Sequence, residues 1–360
     1  MGNGTFVGLD VHARSVVAGL IDEATGELRV KRVAHRTEEL VSWLGDLEGP
    51  VRVAYEAGPT GFGLARACAA AGIACLVAAP SLIARSPAGR GRKSDASDAE
   101  QLARLLRVGE LTPVRVPDPL EEAARDLVRA REDARADLMR TRHRLSKLLL
   151  RHGLVYESGR AWTGAHQAWL RRQRLAHPGT RAAFDDYYAA VLGAGLRRER
   201  LDEQIAQMAA EARFAPLVGR LSCLRGVGTL TAFALAVEIG DFNRLSGATI
   251  GAYLGLTPSE SQSGSRHSRG PITKAGNSHA RRLLVEAAWH HRPPVRASAV
   301  IERRRASQPP EVRARAEQAG LRLHHRWHQL ERRRGLRSTV VATAVARELA
   351  GWCWSLAVME

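Results

Sequence analysis

The stretch Thr5-Phe6-Val7-Gly8-Leu9-Asp10-Val11 decides the fold. It reads as a buried strand, with Val7, Leu9 and Val11 on one face and Phe6, Gly8 and Asp10 on the other. A carboxylate in such a strand is costly unless it is paired or bound to a cation. Three more acids sit where other elements would carry them toward it. Glu56 closes a second apolar strand, Val51-Arg52-Val53-Ala54-Tyr55, just ahead of the turn Gly58-Pro59-Thr60-Gly61. Asp95 and Asp98 follow Ser94, a good helix N-cap, and lie three apart on one helical face. That stripe continues through Leu102 and Leu105, so both acids are expected to face the sheet. A plainer role for Asp95 and Asp98 is to favour a helix N-terminus through its dipole. Four inward acids together require a cation, and hard oxygen ligands suit Mg²⁺ or Mn²⁺.

The segments between these acids supply the rest of a sheet. Residues 15–21 and 27–34 read as two further strands joined through Ala24-Thr25-Gly26. Thr37 is placed to cap a helix with Leu40, Val41, Leu44 and Leu47 on its apolar face. A helix over 60–71 and a strand over 73–78, ended by Pro80, follow. The order β-β-β-α-β-α-β-α is ribonuclease-H-like, also called RuvC-like, with acids on the first strand, the fourth strand and the last helix. Sites of that kind run phosphoryl transfer with two metals roughly 4 Å apart.

Composition narrows the partner. The chain has 360 residues, 45% of them hydrophobic, enough for two cores. Its 54 basic residues exceed its 37 acidic ones, giving a net charge of +17. Such a balance points to a polyanion, most simply nucleic acid. Arginine outnumbers lysine 50 to 4, which reflects a G+C-rich coding sequence as well as phosphate binding, so many arginines are ordinary solvated surface. Cys68, Cys75, Cys223 and Cys353 have no CxxC pairing and read as reduced core residues. His290-His291 and His324-His325 lack metal-ligand spacing and read as surface or phosphate-facing. With no signal peptide and no apolar run of spanning length, the expected location is the bacterial cytoplasm, at the nucleoid, with no membrane partner. Residues 338–358 form an apolar stretch broken by Arg347, Glu348 and Trp354, expected to be a docked core helix.

The remainder is mainly helical. After a linker over 113–119, Leu120, Leu127, Ala134, Leu138, Thr141, Leu145, Leu148 and His152 recur near heptad spacing. A second helix is expected over 181–213, with Leu192, Leu196, Leu201 and Ile205 on its stripe. An antiparallel arm or dimerisation coil accounts for both helices, as do two helices of a bundle. Trp162 and Trp169 lie between them and would pack the tip. Further on, Gly226-Val227-Gly228 opens a helix that ends near Gly240, a helix-hairpin-helix-like start whose bare N–H groups can hold a phosphate. Packing alone also produces such turns. Next, Pro258-Ser259-Glu260-Ser261-Gln262-Ser263-Gly264-Ser265 reads as a serine-rich loop. It runs into the cations Arg266, Arg269 and Lys274, and a helix follows with Arg281 and Arg282 in its first turns. These five cations are expected to contact phosphate. The boundaries that follow are 1–112 for the acidic α/β domain, 113–213 for the helical coiled-coil linker and 214–360 for the helical C-terminal domain with its serine loop.

Taken together, these motifs resemble a family. Leu9-Asp10, Tyr55-Glu56-Ala57 and Lys93-Ser94-Asp95-Ala96-Ser97-Asp98-Ala99 resemble the DEDD motif of one insertion-sequence transposase class. Gly226-Val227-Gly228 with Glu238-Ile239-Gly240-Asp241-Phe242 resembles the start of its C-terminal domain. Gly255-Leu256-Thr257-Pro258, Ser263-Gly264, Thr273-Lys274-Ala275-Gly276-Asn277 and Arg281-Arg282-Leu283-Leu284 resemble its hallmark loop. The class is the DEDD transposases related to the Piv DNA invertase, described as bridge-RNA-guided recombinases. One departure is that Gln262 precedes Ser263 and Ser265 follows Gly264, where the family loop often has adjacent Ser and Gly residues.

The resemblance implies a mechanism. A serine Oγ attacks a DNA phosphodiester and keeps its energy in a 5′-phosphoserine link, so strands are exchanged without ATP. Serine needs a base or a metal to become nucleophilic, and the DEDD metal site is its expected activator. Ser263 is the expected nucleophile, with Ser261 and Ser265 as alternatives. The implied site is composite, joining the metal domain of one subunit to the serine domain of another in a dimer or tetramer. The implied partners are donor DNA, target DNA and a guide (bridge) RNA that selects both sequences. Two rival readings stand beside it: a RuvC-like Holliday-junction nuclease with water as nucleophile, and a non-enzymatic nucleic-acid-binding protein.

Overall fold

The computed structural model describes residues 4–83, 94–263, 266–296 and 298–359. Lys93, Gly264 and Ser265 lie outside these, as do the side chains of Ser263, Arg266 and His267. The chain packs as two units, Met1–Asp118 and Pro119–Glu360.

The first unit is built on a five-stranded mixed sheet of β1 (Thr5–Val11), β2 (Val16–Asp22), β3 (Leu28–Val33), β4 (Val51–Glu56) and β5 (Ala74–Ala78), in the order β3-β2-β1-β4-β5. Strands β1, β2 and β3 pair antiparallel, while β4 joins β1 and β5 in parallel. Three helices cover it: α1 (Thr37–Gly45), α2 (Gly63–Ala70) and α3 (Asp95–Val108). On one face Val7, Leu9, Val53 and Tyr55 pack with Leu40 and Leu44 of α1 and with Leu64 and Cys68 of α2. On the other, Phe6 and Ile21 meet Ala103, and Ala54 and Ala78 meet Leu102, all under α3. The alternation read from the first strand therefore separates the two cores. Gly8 and Gly19 set the closeness of α3: a Cβ on Gly8 would lie 2.2 Å from the Ala99 carbonyl, and one on Gly19 would lie 2.8 Å from it.

Two local expectations shift. Thr37 is the first helical residue and not the cap, a position held by Arg36 without a side-chain hydrogen bond. The helix expected from residue 60 begins at Gly63, because Gly61 N–H closes a turn onto Gly58 O at 3.1 Å and Tyr55 Oη donates to Gly61 O.

In the second unit, α4 (Pro119–Arg151) and α6 (Pro178–Ala209) run antiparallel with α5 (Gly164–Arg171) at their far end. Leu138, Leu145, Leu148, Leu149, Leu170, Phe184 and Val191 form the core there. At the near end Ala124, Val128, Ile205 and Ala209 enter the main helical core. That core is made by α7 (Ala215–Ser222), α8 (Thr229–Ile239), α9 (Ile250–Tyr253), α10 (Ser278–Ala288), α11 (Ala299–Ala306), α12 (Pro310–His328) and α13 (Ser338–Ala357). Helix α13 is docked as expected, burying Val341, Val345, Leu349, Cys353 and Leu356. His291 departs from expectation. It is fully buried with neither ring nitrogen hydrogen-bonded, and burial, with Arg225 next, pushes its pKa down to about 4.

The serine-rich segment is a β-hairpin, not an irregular loop: β6 (Pro258–Ser263) pairs antiparallel with β7 (Arg266–Ile272). Its residues are polar on both faces, so no apolar alternation signals a strand, and pairing is fixed instead by the ladder and by Arg269–Glu260 at 3.0 Å. The segment after the hairpin leads to a buried acid. Glu238 on α8 accepts from Asn277 Nδ2 at 2.6 Å and from both Nε and Nη2 of Arg129 at 3.3 Å, with His279 Nδ1 at 3.4 Å. Burial alone would raise its pKa, but His279, Arg129 and Asn277 outweigh that and hold it at about 2, against an ordinary 4.5. Asn277 in turn caps α10, accepting from Ala280 N–H at 2.9 Å.

A depressed pKa in the folded state means that Glu238 contributes stability above the unfolded value, and that this is lost as pH falls. Glu238→Gln is expected to destabilise the protein by about 2 kcal/mol at pH 7, the scale of a hydrogen bond to a charged group. Chemical denaturation from pH 7 downward should show the gap between wild type and variant narrowing from about 4.5 toward 2. A constant gap across that range would remove the charge of Glu238 from the account.

Candidate active site

The acid on β1 meets those on α3 through backbone geometry. Asp10 lies two residues after Gly8 and so on the same face, the face that α3 covers. Ser94 caps α3, its Oγ accepting from Ser97 N–H at 3.2 Å, which brings Asp95 and Asp98 into the first turn. Glu56 follows Tyr55, the parallel partner of Leu9, so Asp10 and Glu56 are consecutive in register and point to one side of the sheet. Glu56 is exposed at the strand end, while Asp10 and Asp98 are half-buried.

His12 joins this group. Its Nε2 lies 3.2 Å from Asp10 Oδ2 and 3.8 Å from Asp95 Oδ1. Asp10, His12 and Asp95 each offer a ligand atom, and the three atoms lie within 4.8 Å of one another. Among the described residues this is the one group of three or more such side chains. His12 is not among the four acids expected from the sequence, although its spacing of two from Asp10 is a usable signal. Burial raises the Asp10 pKa; His12 opposes this, and the charges of Asp95 and Asp98 add to it. Carboxylates that repel one another in a half-buried cleft fit a divalent cation, which would relieve the repulsion and take their oxygens as ligands.

The second unit holds the remaining predicted residues. Ser263 and Arg266 form the last paired rung of the hairpin, and Ser261 pairs with Ser268. The hairpin base is interlocked. Thr273 N–H donates to Thr257 O at 2.9 Å, and Lys274 N–H to Gly255 O at 3.1 Å. Gly255 and Gly276 both have positive φ, and a Cβ on either would lie 2.2 Å from Ala275 O or 2.0 Å from Tyr253 O. Lys274 itself adopts φ 56°, unusual for a residue with a side chain, and is exposed.

The cations around it divide. Arg281 Nη1 donates to Leu254 O and Ala275 O, both at 2.8 Å, so it fastens the hairpin base. Arg282 pairs with Glu286 at 2.6 Å and with Glu132 on α4. Both are thus committed within the protein, a use that the sequence reading did not foresee. Arg269 shares its charge with Glu260 at an exposed position. Gly226 has a packing reason to be glycine: φ is 83° and a Cβ would lie 2.4 Å from Ala287 O. Gly228 is the N-cap of α8, beside the Arg304 guanidinium.

Comparison with known proteins agrees with this layout. A DEDD transposase profile of the IS110 type, described as a transposase, matches residues 7–153. A profile described as the transposase IS116/IS110/IS902 family matches residues 218–299. A Sinorhizobium fredii protein named as transposase y4qE is 43% identical over 304 residues, 84% of this chain and 74% of its own length. The transposase for insertion sequence element IS1533 of Leptospira borgpetersenii is 32% identical over 337 residues, 91% of this chain and 97% of its own. Among the described residues no helix is long and apolar enough to cross a membrane. With its acids gathered on the first unit and both halves matched, the chain belongs to the IS110/IS116/IS902 family of transposases.

Proposed function

We propose that this transposase cuts and rejoins DNA using Mg²⁺ or Mn²⁺ held by Asp10, Glu56, Asp95 and Asp98, with Ser263 as the covalent nucleophile. The observation that carries the reading is the gathering of Asp10, His12 and Asp95 at the end of β1 in a chain of this family. A metal bound there supplies positive charge to the attacking and leaving oxygens. Ser263 Oγ attacks phosphorus as it loses its proton, the bond to the 3′ oxygen breaks, and that oxygen leaves protonated. The 5′ phosphate stays on serine as an ester, ready for attack by another 3′ hydroxyl. Gly264 follows Ser263 in the sequence, as in the serine-glycine step of the family loop, and Lys274 and Arg269 offset charge on the pentacoordinate phosphate.

A guide RNA that pairs with donor and target DNA selects the sequences, and the protein holds the backbones with its excess of arginine. Chains act as a dimer or tetramer in which the acids of one subunit meet the serine of another. Family membership favours this strand-exchange reading over a junction nuclease that uses water.

Replacing any one of Asp10, Glu56, Asp95 or Asp98 by Ala is expected to lower strand exchange at least about a hundredfold, beyond the loss typical of an outer-shell partner. Thermal melting and RNA binding should stay near wild type, and EDTA should stop the reaction until Mg²⁺ is restored. Wild-type recombination by Glu56→Ala would refute the metal assignment.

For the nucleophile, a nicked or mismatched substrate traps the covalent species, the DNA is digested, and the phosphorylated peptide is mapped. Ser263→Ala should bind DNA and RNA yet form no adduct. An adduct on Ser261 or Ser265 would move the role within the hairpin. Recombination without any adduct would make water the nucleophile.

A further inference from the structure

His12 stands beside the four acids but is not one of them. Strand β1 ends at Val11, which pairs with Val16, and His12 N–H donates to Ser15 O at 2.9 Å. The β1–β2 hairpin thus runs one residue past the strand and fixes the main chain of His12. Alternation along the chain puts its side chain on the side of Asp10, where the first turn of α3 also arrives. The imidazole lies between carboxylates from two different elements. Its Nε2 is 3.2 Å from Asp10 Oδ2 and 3.8 Å from Asp95 Oδ1. The first separation is that of a hydrogen bond, and the second is too long for one.

Two roles compete for such a histidine: hydrogen-bond partner of Asp10, or ligand of the cation. The spacing separates them. Neighbouring ligand atoms on a six-coordinate cation at about 2.1 Å lie about 3 Å apart, and opposite ones about 4.2 Å. Here the ligand atoms of Asp10, His12 and Asp95 all lie within 4.8 Å of one another, and the His12–Asp10 edge is 3.2 Å. A cation fits among the three after a small closing movement of side chains. The His12 and Asp95 side chains are 55% and 49% exposed, so that movement and the entry of an ion are both open. A hydrogen bond to Asp10 engages one carboxylate, whereas a shared cation engages both and relieves the repulsion between them. The nitrogen also bears on which ion is held. Mg²⁺ binds through oxygen, while imidazole favours first-row transition metals.

We infer that His12 is a direct ligand of the cation beside Asp10 and Asp95, and that its nitrogen makes the site favour Mn²⁺ over Mg²⁺. The inference rests on the acidic metal site proposed above and is independent of which group is the nucleophile. The carboxylates still admit Mg²⁺, with lower affinity.

The test loads the full-length protein, unlabelled or labelled with ¹⁵N-histidine, with equimolar Mn²⁺ and reads it by electron spin-echo envelope modulation. Unlabelled wild type should show the coupling of a directly bound imidazole nitrogen, the label should change that coupling, and His12→Ala should lack it. The isotope comparison uses wild type alone, so it decides the matter even if the variant does not fold. Mn²⁺ affinity should fall about tenfold in His12→Ala, and Mg²⁺ affinity, measured by displacement of Mn²⁺, about twofold or less. Saturable Mn²⁺ binding that is lost in Asp10→Asn, with no histidine coupling in wild type, overturns the role of His12 and leaves the acidic site standing. An equal loss of both affinities in His12→Ala overturns the preference for Mn²⁺. No saturable Mn²⁺ binding by wild type overturns this inference together with the metal site it rests on.

Discussion

The carbonyl of Ala99 lies so close to the bare Cα of Gly8 that a single added methyl would come within 2.2 Å of it, and the Ala103 amide is nearly as near. Helix α3 can rest on the sheet only because Gly8 and Gly19 leave that track empty. Close contact of backbone with backbone fixes both the height and the direction of the helix, so its first turn reaches the end of β1. Asp10 and the acids of α3 meet for that reason. The meeting is unfavourable in itself, since like charges gather in a half-buried cleft, and the hydrophobic contacts of Phe6, Ile21, Ala54 and Leu102 hold it in place. Packing energy from the apolar face is thus used to hold a charged site ready for a cation.

A comparable constraint shapes the second unit. Gly255 and Gly276 allow two turns to interlock under the serine hairpin, and Arg281 ties both turns together through two carbonyls. Glu238 holds Asn277, the cap of α10, directly after Gly276. The hairpin has almost no apolar residues of its own, so its position depends on this base.

Much of this was legible in the residues. The alternation around Asp10 gave the faces of β1, and Ser94 gave the start of α3, because each signal is local and carried by a few side chains. The two long helices were legible as helices, but their buried faces only in part: Leu192 and Leu196 of the expected stripe are exposed, and α6 buries Phe184, Val191 and Ala209 along with Ile205. The hairpin was not legible, since strands that are polar on both faces show no period to read, and ladder pairing is a property of two segments together. The use of Arg281 and Arg282 was hidden for a related reason: in a chain with 50 arginines, those that bind carbonyls or acids inside the fold look like all the others. His291 looked exposed because a histidine pair next to arginine reads as polar, yet it fills the core. His12 could have been found by extending the period of two by one step.

The central claim is that the packing of α3 on β1 creates a divalent-cation site from Asp10 and Asp95. Electron paramagnetic resonance of Mn²⁺ titrated into the full chain measures this without any DNA or RNA. The account predicts saturable binding by the wild type, weakened at least about tenfold, or 1.4 kcal/mol, in both Asp10→Asn and Asp95→Asn at unchanged thermal stability. Equal Mn²⁺ affinity in wild type and both variants would contradict it.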